Sequence, residues 1–135
     1  KKKKNLARNN GAAVGTTTAA LYAGGYNPPR KRDNSETWNG TAWTEGNNLN
    51  TAKSHIKGAG VTTSAVVAGG EAPGLTNAVE EYNGTSWTAG TNYPTSKAMI
   101  GGLGASNTAA LFFGGYPITA ESFEYDGTNW TEGGD

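Results

Sequence analysis

The chain has 135 residues, 16% charged and 35% hydrophobic, with 21 glycines, no cysteine, and eleven Lys plus Arg balanced by eleven Asp plus Glu. Zero net charge gives no field to steer the chain toward nucleic acid or an anionic membrane, and the lack of cysteine excludes disulfides and thiolate metal sites. No apolar run approaches the roughly 20 residues a membrane-spanning helix needs, and glycine, which costs about 1 kcal/mol relative to alanine inside a helix, points to turns and short strands.

In chain order, residues 1–5 read as a basic, solvated tail. A first unit over 6–48 begins with a strand near Ala7 to Val14, reaches Gly24-Gly25, passes a loop at Tyr26-Asn27-Pro28-Pro29-Arg30-Lys31-Arg32, and ends in Trp38, the turn Asn39-Gly40-Thr41 and Trp43. The second unit, 49–91, is the clearest, with strands expected at Ser54–Val61, Ser64–Ala68, Ala78–Tyr82 and Ser86–Thr88. Its last two strands are joined by Asn83-Gly84-Thr85, a strong hairpin signal because the favoured tight turn needs positive φ at its centre. The third unit, 92–135, repeats the order with Gly114-Gly115, Tyr125, Asp126-Gly127-Thr128 and Trp130.

The units align with one another. Gly24-Gly25, Gly69-Gly70 and Gly114-Gly115 recur every 45 residues, and Trp38, Tyr82 and Tyr125 each stand five residues before Trp43, Trp87 and Trp130. A period of this size is the signature of propeller blades. Small residues fill the first two strands of each unit and aromatic residues the last two, which suits a sheet that widens away from an axis, with the rings packing between neighbouring units.

The motifs resemble kelch repeats. An apolar strand ends in Gly-Gly (Val66-Val67-Ala68-Gly69-Gly70), Tyr82 and Trp87 follow, and Tyr93-Pro94-Thr95-Ser96-Lys97 leads onward, with Leu49-Asn50-Thr51-Ala52-Lys53 similar but lacking the proline. The resemblance covers Leu6 to Glu132; it departs in a tighter aromatic spacing and in Trp38 where tyrosine is usual. The Glu81-Tyr82-Asn83-Gly84-Thr85-Ser86-Trp87-Thr88 wording is similar to kelch-like repeats of structural proteins of marine bacteriophages. What the resemblance implies is an all-β kelch-like propeller of three four-stranded blades per chain. Closed propellers hold 4–8 blades, so closure is expected from a head-to-tail homodimer of six blades or from further blades of a longer chain, with an open stack on a partner as a third arrangement.

Chemistry-bearing constellations are few. His55 is the only histidine and is placed on an inner strand, so no metal, cofactor or nucleophile site is expected. Neighbours on a strand face opposite ways, so Glu80 and Glu81 do not converge as an acid/base pair. The loops between second and third strands and those joining the units should share one face, which collects Tyr26, Asn27, Arg30, Lys31, Arg32, Lys53, Glu71, Tyr93, Lys97 and Tyr116 as ligand-binding candidates. The basic run is either a solvated loop or a recognition patch for an acidic glycan, lipopolysaccharide or protein. The expected function is a non-enzymatic structural or adhesive module at a virion surface or outside the cell. Its partners would be itself, other virion proteins or a surface glycan, without nucleic acid or membrane insertion. A carbohydrate-binding propeller and a kelch-type adaptor are the alternatives.

Overall fold

The computed structural model describes residues 3–134; Lys1 and Lys2 of the expected basic tail lie outside the described residues. Fourteen strands and no helix occur among the described residues, and twelve of the strands form three four-stranded antiparallel sheets. The first holds β1 (Ala12–Gly15), β2 (Ala20–Ala23), β5 (Ser35–Trp38) and β6 (Trp43–Glu45), with a hairpin of β3 (Tyr26–Asn27) and β4 (Arg30–Lys31) between β2 and β5. The second holds β7 (Lys57–Val61), β8 (Ser64–Ala68), β9 (Val79–Tyr82) and β10 (Trp87–Ala89). The third holds β11 (Gly101–Ser106), β12 (Ala109–Phe113), β13 (Ser122–Tyr125) and β14 (Trp130–Glu132).

The first strands begin later than the sequence suggests. Asn10, His55 and Met99 occupy one repeat position and all have φ of 56°, a left-handed conformation that breaks a strand. His55 therefore precedes β7 rather than lying on it. The final hairpins also differ from the expected tight turn. Trp38 pairs directly with Trp43, and likewise Tyr82 with Trp87 and Tyr125 with Trp130, which leaves four-residue loops. In each, only the glycine takes positive φ. The side-chain oxygen of Asn39, Asn83 or Asp126 accepts the next two free N–H groups, which is how a short polar side chain substitutes for a backbone turn.

The second sheet buries one face against the first sheet and the other against the third. Leu21 and Ala23 of the first pack on Ala65, Val67, Tyr82 and Trp87 of the second, and Ala59, Val66 and Ala68 of the second pack on Ala110, Phe112, Phe123 and Tyr125 of the third. The aromatic pairs thus sit between sheets. Tyr93, from the connection, wedges edge-on among Phe112, Phe123 and Trp130 with centroids 4.8–6.3 Å away. On the narrow side β7 lies against both β1 and β11, an approach that small residues allow: a Cβ on Gly58 would stand 2.9 Å from Val14 Cγ1.

Main-chain bonds lock the stack in register. Gly25 N–H donates to Lys53 C=O at 2.8 Å and Gly70 N–H to Lys97 C=O at 2.7 Å; His55 N–H donates to Asn10 C=O at 2.7 Å and Met99 N–H to His55 C=O at 2.9 Å. The glycine before each donor has to be glycine where a sheet follows. Gly69 has φ of 65°, and a Cβ there would stand 2.4 Å from Lys97 O.

A buried ion pair ties each of the first two sheets to the segment before it. Arg8 pairs with Glu36, whose second oxygen accepts Asn5 N–H at 2.7 Å. The Arg8 guanidinium also donates to the carbonyls of Gly24, Tyr22 and Asn34. Lys4 stands 3.6 Å above the Tyr22 ring, so Lys4 packs on the first sheet and Asn5 is tied to it through its N–H, rather than both belonging to a free tail. Forty-five residues on, Lys53 lies 3.0 Å from Glu80, which accepts Asn50 N–H. The third sheet drops the whole device: Phe123 stands at the Glu position, and Pro94, which has no N–H, at the Asn position. Lys97 turns instead to Glu121, 3.5 Å away.

Removing one partner of a buried pair strands the other charge, at a cost of about 3–5 kcal/mol. Lys53→Met alone should lower unfolding free energy by about that amount in urea melts, and Lys53→Met with Glu80→Leu should recover most of it. Equal losses in the single and double variants would contradict the pairing.

Candidate functional site

The loop between β2 and β5 folds into the β3–β4 hairpin because Tyr26 pairs with Lys31 and Asn27 with Arg30. Asn27 Nδ2 donates to Ala7 C=O at 2.5 Å, and Arg32 donates to Asn27 Oδ1 at 3.3 Å, so both residues hold the hairpin in place. The hairpin leans toward the second sheet. Lys31 Nζ donates to Pro73 C=O at 2.5 Å and lies 3.4 Å from Glu71.

This contact closes one side of an open groove of about 550 Å³, walled by Tyr26, Pro29, Arg30 and Lys31 on one side and by Thr51, Ala52, Ala72 and Pro73 on the other. Its walls combine an aromatic ring and two prolines with a guanidinium. Arg30 is exposed and in no ion pair among the described residues. Such a groove can stack a flat apolar ring and hold an anionic group beside it.

Of the ten candidate residues, the structure brings Tyr26, Arg30 and Lys31 to this groove, with Glu71 behind Lys31 and Asn27 and Arg32 in support. Tyr116 stands at the same repeat position as Tyr26 and Glu71, on the third unit, and is 59% exposed. Lys53, Tyr93 and Lys97 are not surface residues. They are buried, because the connecting segments run between sheets rather than over them. Pro29, Ala72 and Pro73 lie in loops that the sequence already assigns to this face, but neither they nor Thr51 and Ala52 stood out as contacts, the prolines in equivalent loops being the only signal. The sequence reading missed Arg8, Glu36 and Glu80, which the repeat period could have revealed as one recurring basic–acidic pair.

The single histidine has two polar neighbours. Ser54 Oγ lies 3.2 Å and Glu71 Oε2 3.7 Å from His55, but both face the same ring nitrogen, Nδ1, and Ser54 is buried. A relay needs the nucleophile and the acid on opposite nitrogens, so this trio does not have the geometry of a catalytic triad. Glu80 and Glu81 point to opposite faces: Glu80 meets Lys53, while Glu81 accepts from Tyr125 Oη and from Asn107 Nδ2. No group of three or more His, Asp or Glu side chains among the described residues is placed to hold a metal ion.

Compared with models of known protein families and with curated proteins, the chain matches none.

Two buried tyrosines keep their hydroxyls protonated well into base. Burial, with the Glu121 charge, pushes the Tyr93 hydroxyl up to about 12; burial and the Glu81 hydrogen bond push Tyr125 up to about 12. Both favour the protonated phenol when folded, whereas an unfolded tyrosine ionises near pH 10. Their contribution is therefore complete below about pH 10 and lost as pH rises toward 12. The Tyr93 hydroxyl has no hydrogen-bond partner among the described residues. Tyr93→Phe should leave stability at pH 8 unchanged or raised and flatten the fall above pH 10 in urea titrations; an unaltered alkaline slope would contradict this.

Proposed function

We propose that the three sheets are blades of a kelch-like β-propeller and that the chain is a non-enzymatic structural or adhesive module presenting its loop groove to a surface partner. The observation that carries this reading is the groove itself. A rigid stack of sheets, fixed by main-chain bonds between units, supports a concave, partly apolar opening with a guanidinium at its edge that is in no ion pair among the described residues. Loops held by such a scaffold are suited to recognition.

The groove chemistry favours a partner that offers an apolar face beside a carboxylate, sulfate or phosphate. An acidic polysaccharide of a cell surface meets this description, and the Tyr26 ring favours the carbohydrate-binding form of the proposal. The equivalent position is Glu71 in the second unit and Tyr116 in the third, and neither of those loops carries a counterpart of Arg30, so one site per chain is expected rather than three alike. The virion setting, as a capsid decoration or tail-fibre component, rests on the resemblance of the Glu-Tyr-Asn-Gly-Thr-x-Trp-Thr wording to phage repeats. A kelch-type adaptor gripping an acidic peptide would use the same groove.

Arg30→Ala and Tyr26→Ala, which leave Lys31, Asn27 and Arg32 to hold the hairpin, should each weaken binding to acidic polysaccharide about tenfold or more without moving the thermal midpoint. The measurement is titration of an acidic and a neutral polysaccharide panel at two salt concentrations. Binding that is unchanged in both variants, or absent for every polysaccharide tested, would reject the glycan reading.

A further inference from the structure

The outer faces of the first and third sheets are two halves of a contact that the molecule already makes twice internally. On the third sheet, Leu103, Leu111, Glu124 and Thr131 form one row. The matching row of the second sheet is Ala59, Val66, Glu81 and Thr88, in which Ala59 and Val66 are buried by the third sheet. Leu103 is instead 56% exposed and Phe113 41% exposed, and the row lines an open hollow of about 410 Å³.

The opposite half lies on the first sheet. Trp38 and Trp43 hold the places that Tyr82 with Trp87, and Tyr125 with Trp130, hold on the second and third. Tyr82, Trp87 and Tyr125 are buried against a preceding sheet, while both tryptophans of the first sheet are only half-buried.

The main chain repeats the pattern. A Cβ on Gly24 or Gly69 would strike the following unit, at Ile56 Cδ1 or Lys97 O, yet Gly114, with the same positive φ, has nothing within 4 Å. Gly25 and Gly70 donate to the unit that follows; Gly115 N–H has no acceptor among the described residues. In the second ladder, Asn10 N–H and Met99 C=O are likewise free among the described residues.

We propose that a second copy of this chain occupies these faces. The Leu103–Leu111 face of one copy would cover Trp38 and Trp43 of the other. Gly115 N–H would donate to the carbonyl of Arg8 of the partner subunit, and Met99 C=O would accept from the N–H of Asn10 of the partner subunit. Both bonds continue ladders already present. Two copies joined at both ends give six sheets, within the 4–8 of closed propellers, whereas three copies give nine. The count of six rests on the propeller reading; the contact between faces does not. Two identical head-to-tail contacts related by a two-fold axis close the ring.

The test is the solution mass of the 135-residue chain by light scattering on a sizing column, alone and with Leu111→Glu or Gly114→Ala. Circular dichroism and urea melts serve as folding checks. The expected wild-type mass is twice 13.9 kDa. Both variants should fall to a single chain that keeps its strand signal, since Gly114 has open space around it in one copy and Leu111 lies on the outer face. Tryptophan emission should shift to the blue on association. A wild-type monomer overturns the proposal, and so does a dimer indifferent to both substitutions. A ladder of larger species that Leu111→Glu abolishes retains the contact but overturns the six-sheet ring, and the propeller reading with it.

Discussion

Everything else in this fold depends on the main chain of one unit reaching the main chain of the next. Gly25 and Gly70 donate across the junction, and the glycine before each donor sits at positive φ where a side chain would meet the neighbouring carbonyl or isoleucine. Once that approach is fixed, the inner strands pack through small residues and the outer strands diverge. The tyrosine–tryptophan pairs fill the widening gap. Sequence, backbone conformation and packing thus meet at one dipeptide per unit.

The charged pairs work within that frame. Lys53 with Glu80 is buried because the connecting segment is trapped between sheets, and Arg8 with Glu36 because the Arg8 guanidinium is held among carbonyls of the first unit; each carboxylate also satisfies an otherwise idle backbone N–H. A buried pair gives weak net stability, whereas a partner left alone in the interior is costly. The third unit reaches the same packing with Phe123, Pro94 and Tyr93, replacing acceptor and donor together. Two different chemistries at one repeat position argue that the geometry of the junction, rather than the charge, is what each unit must meet.

Much of this was legible from spacing. The glycine pairs and the five-residue aromatic step located the sheets, their pairing and the order of strands, because glycine and cross-strand aromatics answer to geometry. The starts of the first strands were not legible: Asn10, His55 and Met99 share a left-handed conformation that only asparagine advertises. Lys53, Tyr93 and Lys97 looked like surface residues because they follow the grammar of a linker, and only the sheets on either side make that linker an interior segment. The β3–β4 hairpin was read as a loop, since Pro28-Pro29 breaks any strand pattern. The groove beside it brings together side chains from separate units, which no single stretch of sequence displays.

The central claim, that units are joined by in-register main-chain ladders, is tested most directly by residue-resolved amide hydrogen exchange. Gly25, Gly70, His55 and Met99 should exchange as slowly as the central strand amides of β8, and Gly115 and Asn10 should gain protection as protein concentration rises. Fast exchange at Gly25 and Gly70 while β8 stays protected would contradict the account.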